Sequence, residues 1–275
     1  MARIELPLAR REFIADLAED VWVTFSGERQ AFLDGIAEAA SVGLTYDDFE
    51  DAFDGIIEHK FGRFHIFCNI AKDMQENFPR VRFTLAHELG HYFIDEHRNA
   101  LATGKPPHPS FPDRPSENPA EHEANHFASH LLMPKKEFRA ALIESQNGID
   151  GIRNLASTFN VSAQCAALRY VAGCEKSCAI VMFRDGAKPW FDVSPEMVKF
   201  GLTHIRVSKN QIPHDSATGM AHRDPKNKFN NPHTNMTLAS AWFVGVSQGS
   251  RNDFFLHEFS VRLGGFGVLT LLEMK

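Results

Sequence analysis

One helix constrains the fold more than any other feature of the sequence, because it is apolar on most sides and yet carries two histidines and a glutamate. Its apolar residues recur from Pro79 to about Asp95 at spacings that predict a buried helix. The polar residues on it are His87, Glu88 and His91. Buried imidazoles and a buried carboxylate are costly without partners, so the rest of the chain must supply those partners.

The three polar residues form an HExxH pattern. Positions i and i+4 lie on one face of a helix, so His87 and His91 could bind one Zn²⁺ at about 2.0–2.1 Å each. Glu88 lies beside that metal position, where it can take a proton from water. Because the chain has 14 histidines, the pattern also arises by chance and needs support from its surroundings.

A catalytic zinc site uses three protein ligands and keeps one position open, so a third ligand must come from another element. The next predicted helix runs from Pro119 to about Met133. On that helix Glu121 lies near the edge of the apolar stripe and Glu123 lies outside it, so Glu121 is the better candidate and Glu123 stays an alternative. Asn125, one turn after Glu121, is expected to hydrogen-bond a ligating histidine.

Together these segments resemble the ImmA/IrrE metallopeptidases. The resemblance covers roughly residues 50–170 and is carried by FTLAHELGHYF, ExEANxFAxxLLMP and LAxxFxVS. It implies a cytoplasmic zinc endopeptidase with a minimal zincin fold, of a kind that acts on helix-turn-helix repressors. It also implies His87, His91 and Glu121 as metal ligands and Glu88 as the general base.

Composition narrows the class of protein further. The net charge of −6 disfavours coating of nucleic acid or of an anionic membrane. No apolar run reaches the roughly 18 residues of a membrane span, and charges interrupt the first residues where a signal peptide would be apolar, so we expect a cytoplasmic protein. Cys174 and Cys178, with Cys165, have no fourth ligand at zinc-finger spacing, which favours buried or free thiols.

The predicted fold class is α+β. A minimal zincin-like metallopeptidase domain is expected over residues 1–145, a helix-turn-helix-like segment over 146–173 and a C-terminal β-rich region over 174–275. A DNA-reading helix would carry several basic residues, and the second helix of the 146–173 segment carries only Arg169, which disfavours DNA binding.

Local patterns predict several smaller features. Two strands should surround Gly62, and a strand is predicted at residues 241–246. A two-residue hairpin turn is predicted at Gly264–Gly265. The loop at residues 104–119, which holds six prolines, is expected to lie on the surface and to border the substrate groove.

The functional hypothesis is a cytoplasmic zinc endopeptidase that cleaves a regulatory protein, with a helix-turn-helix transcriptional repressor as the expected substrate. The substrate is expected to add as a strand to an exposed edge, that of Phe64–Cys68. One alternative is a regulatory binding protein that keeps a structural zinc site without proteolysis. Another is a DNA-binding regulator. The sequence does not specify an oligomeric state.

Overall fold

The computed structural model of the protein has an α+β fold, as the sequence predicts. It describes the chain except for residues 1–5, 26–31, 71–77, 108, 112–117, 146–147, 185–188, 207–211, 213, 225, 227–230, 252 and 275. Two compact units divide the chain. The first contains Met1–Phe138 and Phe159–Val161, and the second contains Arg139–Thr158 and Ser162–Lys275.

The first unit combines helices with a small sheet. Its elements in chain order are α1 (Leu8–Phe25), α2 (Phe32–Ala39), β1 (Gly43–Asp47), β2 (Gly55–Lys60), β3 (Arg63–Asn69), α3 (Pro79–Phe93), α4 (Asp95–Ala102) and α5 (Pro119–Leu132). Helix α6 (Lys135–Glu144) follows and continues into the second unit. Proline stands at the first helical position of both α3 and α5, where its missing N–H is not needed.

The sheet of the first unit has the strand order β1-β3-β2. Strands β2 and β3 form the predicted antiparallel pair around Gly62, whose φ of 75° suits the tight turn between them. Strand β1 was not predicted, and it pairs in parallel with β3. The prediction that the Phe64–Cys68 strand offers an exposed edge is therefore wrong, because β3 has a neighbour on each side.

Helices α3 and α5 approach each other closely at Gly90. A Cβ atom at Gly90 would stand 3.2 Å from the Ala124 Cα atom and 3.2 Å from the Phe127 ring. Ala124 and Phe127 are themselves fully buried. The absence of a side chain at Gly90 thus lets the backbone of α5 lie against the HExxH helix.

The second unit contains helices and a larger sheet. After α6 come α7 (Ile149–Phe159), α8 (Ala163–Gly173), β4 (Cys178–Phe183), β5 (Trp190–Val193), α9 (Pro195–Lys199), α10 (Ala217–Arg223), β6 (His233–Leu238), α11 (Ala239–Trp242), β7 (Phe255–Arg262) and β8 (Val268–Met274). The sheet order is β5-β4-β8-β7-β6, with antiparallel pairs throughout. Every residue of β4 is buried, as expected of a central strand of a core.

Two local predictions in this unit are wrong. Residues 241–246 are not a strand, because α11 ends at Trp242 and the chain then turns through Gly245 at a φ of 86°. Strands β7 and β8 do form a hairpin, but its connection is a 3₁₀ turn at Gly264–Phe266 followed by Gly267. The two-residue turn predicted at Gly264–Gly265 is therefore too short.

The helical pair predicted in residues 149–173 is present as α7 and α8. The side chain of Ser162 accepts a hydrogen bond from the Cys165 N–H and so caps the start of α8. Helix α8 packs against β4 and β5, so these helices belong to the same unit as the β-rich region. The three-part domain division stays a prediction. Among the helices that the structure describes, none has the length and apolar character needed to cross a bilayer.

We predict that Gly90→Ala lowers stability although alanine favours helices. The added methyl group would press on the backbone of α5, which we expect to cost about 1–3 kcal/mol. Gly35→Ala is the matched control, because Gly35 also lies inside a helix and its added Cβ would contact nothing within 4 Å. We expect the free energy of unfolding of the control variant to rise by up to about 1 kcal/mol, because alanine favours a helix more than glycine does. Urea midpoints of the two variants check this, and equal shifts would show that the close approach at Gly90 is unimportant.

Candidate metal centre

The two histidines of the HExxH pattern face one point from the buried side of α3. His87 is 0% exposed and His91 is 5% exposed. Their Nε2 atoms are 3.2 Å apart. Since both rings project from the same helix four residues apart, their convergence follows directly from helical geometry.

The side chain of Glu121 reaches the same point from α5. One carboxylate oxygen lies 3.2 Å from His87 Nε2 and the other lies 3.2 Å from His91 Nε2. In the part of the chain that the structure describes, these three residues are the only group of three or more histidine, cysteine, aspartate or glutamate side chains placed to hold one metal ion. The structure thus brings Glu121 to the histidines and does not bring Glu123 there.

The spacing of the donor atoms fits a zinc ion. Zinc bonds of about 2.0–2.1 Å in tetrahedral geometry place neighbouring ligand atoms about 3.3–3.4 Å apart. The two Nε2 atoms are 3.2 Å apart, and each lies 3.2 Å from a different oxygen of the Glu121 carboxylate. Two imidazoles and one carboxylate also form a typical ligand set of catalytic zinc, with one position left for water or substrate.

Asn125 fixes the tautomer of His87. The Asn125 Oδ1 atom lies 2.9 Å from His87 Nδ1, and an amide oxygen only accepts hydrogen bonds. In the neutral ring the proton therefore sits on Nδ1, which leaves the Nε2 lone pair facing His91 and Glu121. Asn125 thus takes the supporting position that the sequence predicts for it.

A chain of three residues fixes the tautomer of His91 in the same way. Arg10 donates two hydrogen bonds to the Glu123 carboxylate, from Nε at 2.9 Å and from Nη2 at 2.7 Å. The same carboxylate accepts from His97 Nε2 at 3.0 Å. In a neutral His97 ring Nδ1 is then an acceptor, and it lies 3.1 Å from His91 Nδ1, which must carry the proton. The lone pair of the His91 Nε2 atom then faces His87 and Glu121.

Burial and neighbouring charges favour these protonation states. Burial lowers the pKa of His97 and lowers the pKa of His91 to about 4, so both rings are neutral near pH 7. Burial would raise the pKa of Glu123, but the hydrogen bond from Arg10 holds it below its usual value. Burial also raises the pKa of Glu121, but its hydrogen bonds with His87 and His91 have the larger effect. They hold the pKa of Glu121 well below its usual value. The site therefore presents an ionised carboxylate.

Glu88 lies between the metal ligands and strand β2. Its carboxylate accepts hydrogen bonds from the Ser110 hydroxyl and from the Ile57 N–H. A Cβ atom at Gly55 would stand only 2.8 Å from the Glu88 Oε1 atom, so a glycine is needed for β2 to lie this close. Burial raises the pKa of Glu88 to about 7.

Several contacts near the site are not predicted by the sequence. One is the contact of His97 with His91. Arg10 and Ser110 were not predicted at all, because loops and helices far apart in sequence bring them to the site. The histidines His122, His126 and His130, which lie one turn apart on α5, form no metal-binding group among the described residues. His126 and His130 each lie within hydrogen-bond distance of a backbone carbonyl oxygen.

The comparisons with known proteins agree with this geometry. A family model for the M78 peptidases, described as the IrrE N-terminal-like domain, matches residues 75–170 and confirms the resemblance to the ImmA/IrrE family. No curated protein matches the chain. A solved structure titled Mycobacterium tuberculosis transcriptional regulator is similar with a TM-score of 0.57 and 15% identity, over 96% of this chain and 88% of that chain. At that identity the likeness shows the fold alone.

We predict that Glu121→Gln abolishes most zinc binding, while Glu123→Gln weakens it by roughly 10–100-fold, as is typical of residues that orient a ligand. Glu121 offers its oxygens to the metal position directly, whereas Glu123 acts through His97. Competition with a chelator of known zinc affinity measures both variants. A complete loss of zinc in Glu123→Gln alone would overturn the assignment of Glu121.

Proposed function

We propose that the chain is a zinc-dependent endopeptidase of the cytoplasm that cleaves a regulatory protein. The match of residues 75–170 to the IrrE N-terminal-like peptidase family model supports this proposal. The observation that carries this proposal is the convergence of His87, His91 and Glu121 beside the buried carboxyl group of Glu88. A zinc ion held by the three ligands would supply a Lewis acid that polarises a peptide carbonyl and activates an attacking water.

In this proposal Glu88 is the general base and then the general acid. Its carboxylate would take a proton from the attacking water and pass that proton to the leaving amine. Burial raises the pKa of Glu88 to about 7, which lets one group perform both transfers near neutral pH. A protein that only bound its partner would have no need of a carboxylate at this position.

We propose that the substrate pairs with the outer edge of β2. Strand β2 is an edge strand of its sheet and packs against the HExxH helix. At Gly55 and Ile57 this outer edge already forms hydrogen bonds, to Ser110 and to Glu88, so the substrate would pair with the remaining part of the strand, Glu58–Lys60. An extended peptide added to this edge would pass beside the metal ligands, and its backbone would form the hydrogen bonds of an added strand.

The proposed substrate class is a helix-turn-helix transcriptional repressor. This part of the proposal rests on the family resemblance, whose characterised members act on such repressors. The obvious candidates are small helix-turn-helix proteins encoded beside the gene of this chain.

We predict that Glu88→Gln lowers the rate of cleavage by roughly 10²–10⁴-fold, the range expected when a general base is removed. The amide keeps the shape of the side chain and leaves the three metal ligands in place, so bound zinc should stay at one ion per chain. Each neighbouring helix-turn-helix protein is incubated with the parent or the variant, and new amino termini are identified by mass spectrometry. Glu12→Gln, an exposed change on α1, is the matched control.

Two outcomes would contradict the proposed activity. New amino termini that persist in Glu88→Gln at the parent's rate would exclude Glu88 as the base. If Glu88→Gln relieves repression in cells as well as the parent protein does, the chain is instead a binding protein with a structural zinc ion.

We predict that Ser110→Ala moves the acid limb of the peptidase pH profile to higher pH. The Ser110 hydroxyl stabilises the ionised form of Glu88, so its loss raises the pKa of Glu88 further. A general base works only when deprotonated, and a higher pKa means that activity is lost at a higher pH on acidification. The measurement is kcat/KM against pH, with Ser157→Ala on the exposed side of α7 as the control. An unmoved limb, or one moved to lower pH, would show that this contact does not tune the base.

A further inference from the structure

The second unit contains a pair of thiols that the proposed peptidase does not use. The Sγ atoms of Cys174 and Cys178 are 3.2 Å apart, within hydrogen-bond distance, and neither cysteine is in a disulfide. Cys174 follows the last residue of α8, and Cys178 is the first residue of β4. The pair therefore spans the junction between the helical segment and the sheet of this unit.

The turn that joins the two cysteines is held by several hydrogen bonds. The Cys174 N–H donates to the Tyr170 carbonyl at 2.8 Å, which fixes the end of α8. The Ser194 hydroxyl donates to the Lys176 carbonyl at 2.7 Å, and the same Ser194 oxygen accepts from the Cys178 N–H at 3.0 Å. The backbone thus holds the sulfur atoms side by side.

The two thiols differ in their access to solvent. Cys178 is 0% exposed, whereas Cys174 is 8% exposed and lies between the exposed residues Gly173 and Glu175. A small molecule from solvent would meet Cys174 first. The hydrogen bond from the Cys178 thiol lowers the pKa of Cys174 despite burial and the nearby Glu273 carboxylate.

A metal ion does not explain the pair. A structural zinc site needs four ligands, and among the described residues only His87, His91 and Glu121 form a group of three or more suitable side chains. The other two cysteines have different surroundings. Burial raises the pKa of Cys165 to about 12 and raises that of Cys68 well above its usual value, which makes both poor nucleophiles.

We propose that Cys174 and Cys178 are a redox-active dithiol that a hydroperoxide oxidises to an intramolecular disulfide. The Cys174 thiolate attacks one peroxide oxygen, the O–O bond breaks, and the departing hydroxide takes up a proton to become water. The Cys178 sulfur then attacks the Cys174 sulfenic acid, the S–O bond breaks, and a second water leaves with the thiol proton. In total two thiols are oxidised and one hydrogen peroxide is reduced to two waters.

The geometry needs only a small movement for this step. A disulfide bond is about 2.05 Å long, so the two sulfur atoms must approach by roughly 1.2 Å. The product would tie the end of α8 covalently to the start of β4. Because both residues lie in the second unit, the proposal is independent of the metal centre and of the proposed peptidase activity.

The test uses the full-length, zinc-loaded protein and hydrogen peroxide at a few equivalents. After quenching, the protein is denatured, its remaining thiols are alkylated, and intact mass and peptide maps are recorded. We expect the loss of two hydrogen atoms, a linked peptide that joins Cys174 to Cys178, alkylated Cys68 and Cys165, and full reversal by dithiothreitol. Four free thiols after this treatment, or a disulfide that involves Cys68 or Cys165, would overturn the proposal.

Three variants separate the roles of the two thiols. In Cys178→Ser the sulfenic acid at Cys174 has no partner and should be trapped by dimedone. In Cys174→Ser we expect the rate of peroxide consumption to fall at least tenfold, whereas Cys165→Ser should form the disulfide at the parent's rate. Equal reactivity of Cys174→Ser and the parent, or a loss of bound zinc in Cys174→Ser, would contradict the dithiol. Because the central result is measured on the unaltered protein, it does not depend on how the variants fold.

Discussion

The close packing of α5 against Gly90 of α3 is the contact on which the candidate metal centre depends. Glutamate has a short reach, and Glu121 meets both His87 and His91 at 3.2 Å only because the two helix backbones lie so near each other. The same contact brings Asn125, one turn further along α5, to the Nδ1 atom of His87. One helix–helix contact thus supplies the third ligand and also selects the nitrogen through which the first ligand would bind.

The polar chain from Arg10 to His91 extends this constraint to two more helices. Arg10 on α1 and His97 on α4 both donate hydrogen bonds to the Glu123 carboxylate on α5. His97 in turn accepts a hydrogen bond from His91 on α3. A buried polar group without a partner costs about 1–3 kcal/mol, so the loss of one member would leave its neighbours unsatisfied. This explains why Glu123 lies partly buried near the metal centre although it contacts neither HExxH histidine. Its role is to orient His97, which orients His91.

The sequence predicted the parts of the site that depend on helical periodicity. An α-helix rotates by about 100° per residue, which places His87 and His91 on one face of α3. The same rotation favours Glu121 over Glu123 next to the apolar stripe of α5. The structure places these side chains accordingly. The sequence did not predict contacts that depend on partners distant in sequence. Strand β1 pairs in parallel with β3, and no local pattern reveals that β3 is therefore an inner strand. The contact of Ser110 with Glu88 was missed for the same reason, since it arises from a loop folding back onto the edge of β2.

Both units contain a cluster of polar side chains, and the kinds of hydrogen-bonding groups in the two clusters differ. This difference explains why the cluster of the first unit suggests a metal and that of the second unit does not. In the second unit the buried Glu258 carboxylate accepts from the N–H and the hydroxyl of Thr218, and that hydroxyl lies 2.7 Å from the Thr270 hydroxyl. Hydroxyl groups both donate and accept, so Thr218, Ser260 and Thr270 can satisfy one another with their own protons.

At the metal centre the ring protons of His87 and His91 are directed outward, to Asn125 and His97. The atoms that then face one another are two nitrogen lone pairs and a carboxylate, all of which are acceptors. Burial by itself would lower the pKa of His87, but the hydrogen bond with the Glu121 carboxylate raises it above its usual value. The site therefore attracts a proton when nothing else is bound. Three converging acceptors with this affinity for positive charge are what a divalent cation requires, and a cation would satisfy all three at once.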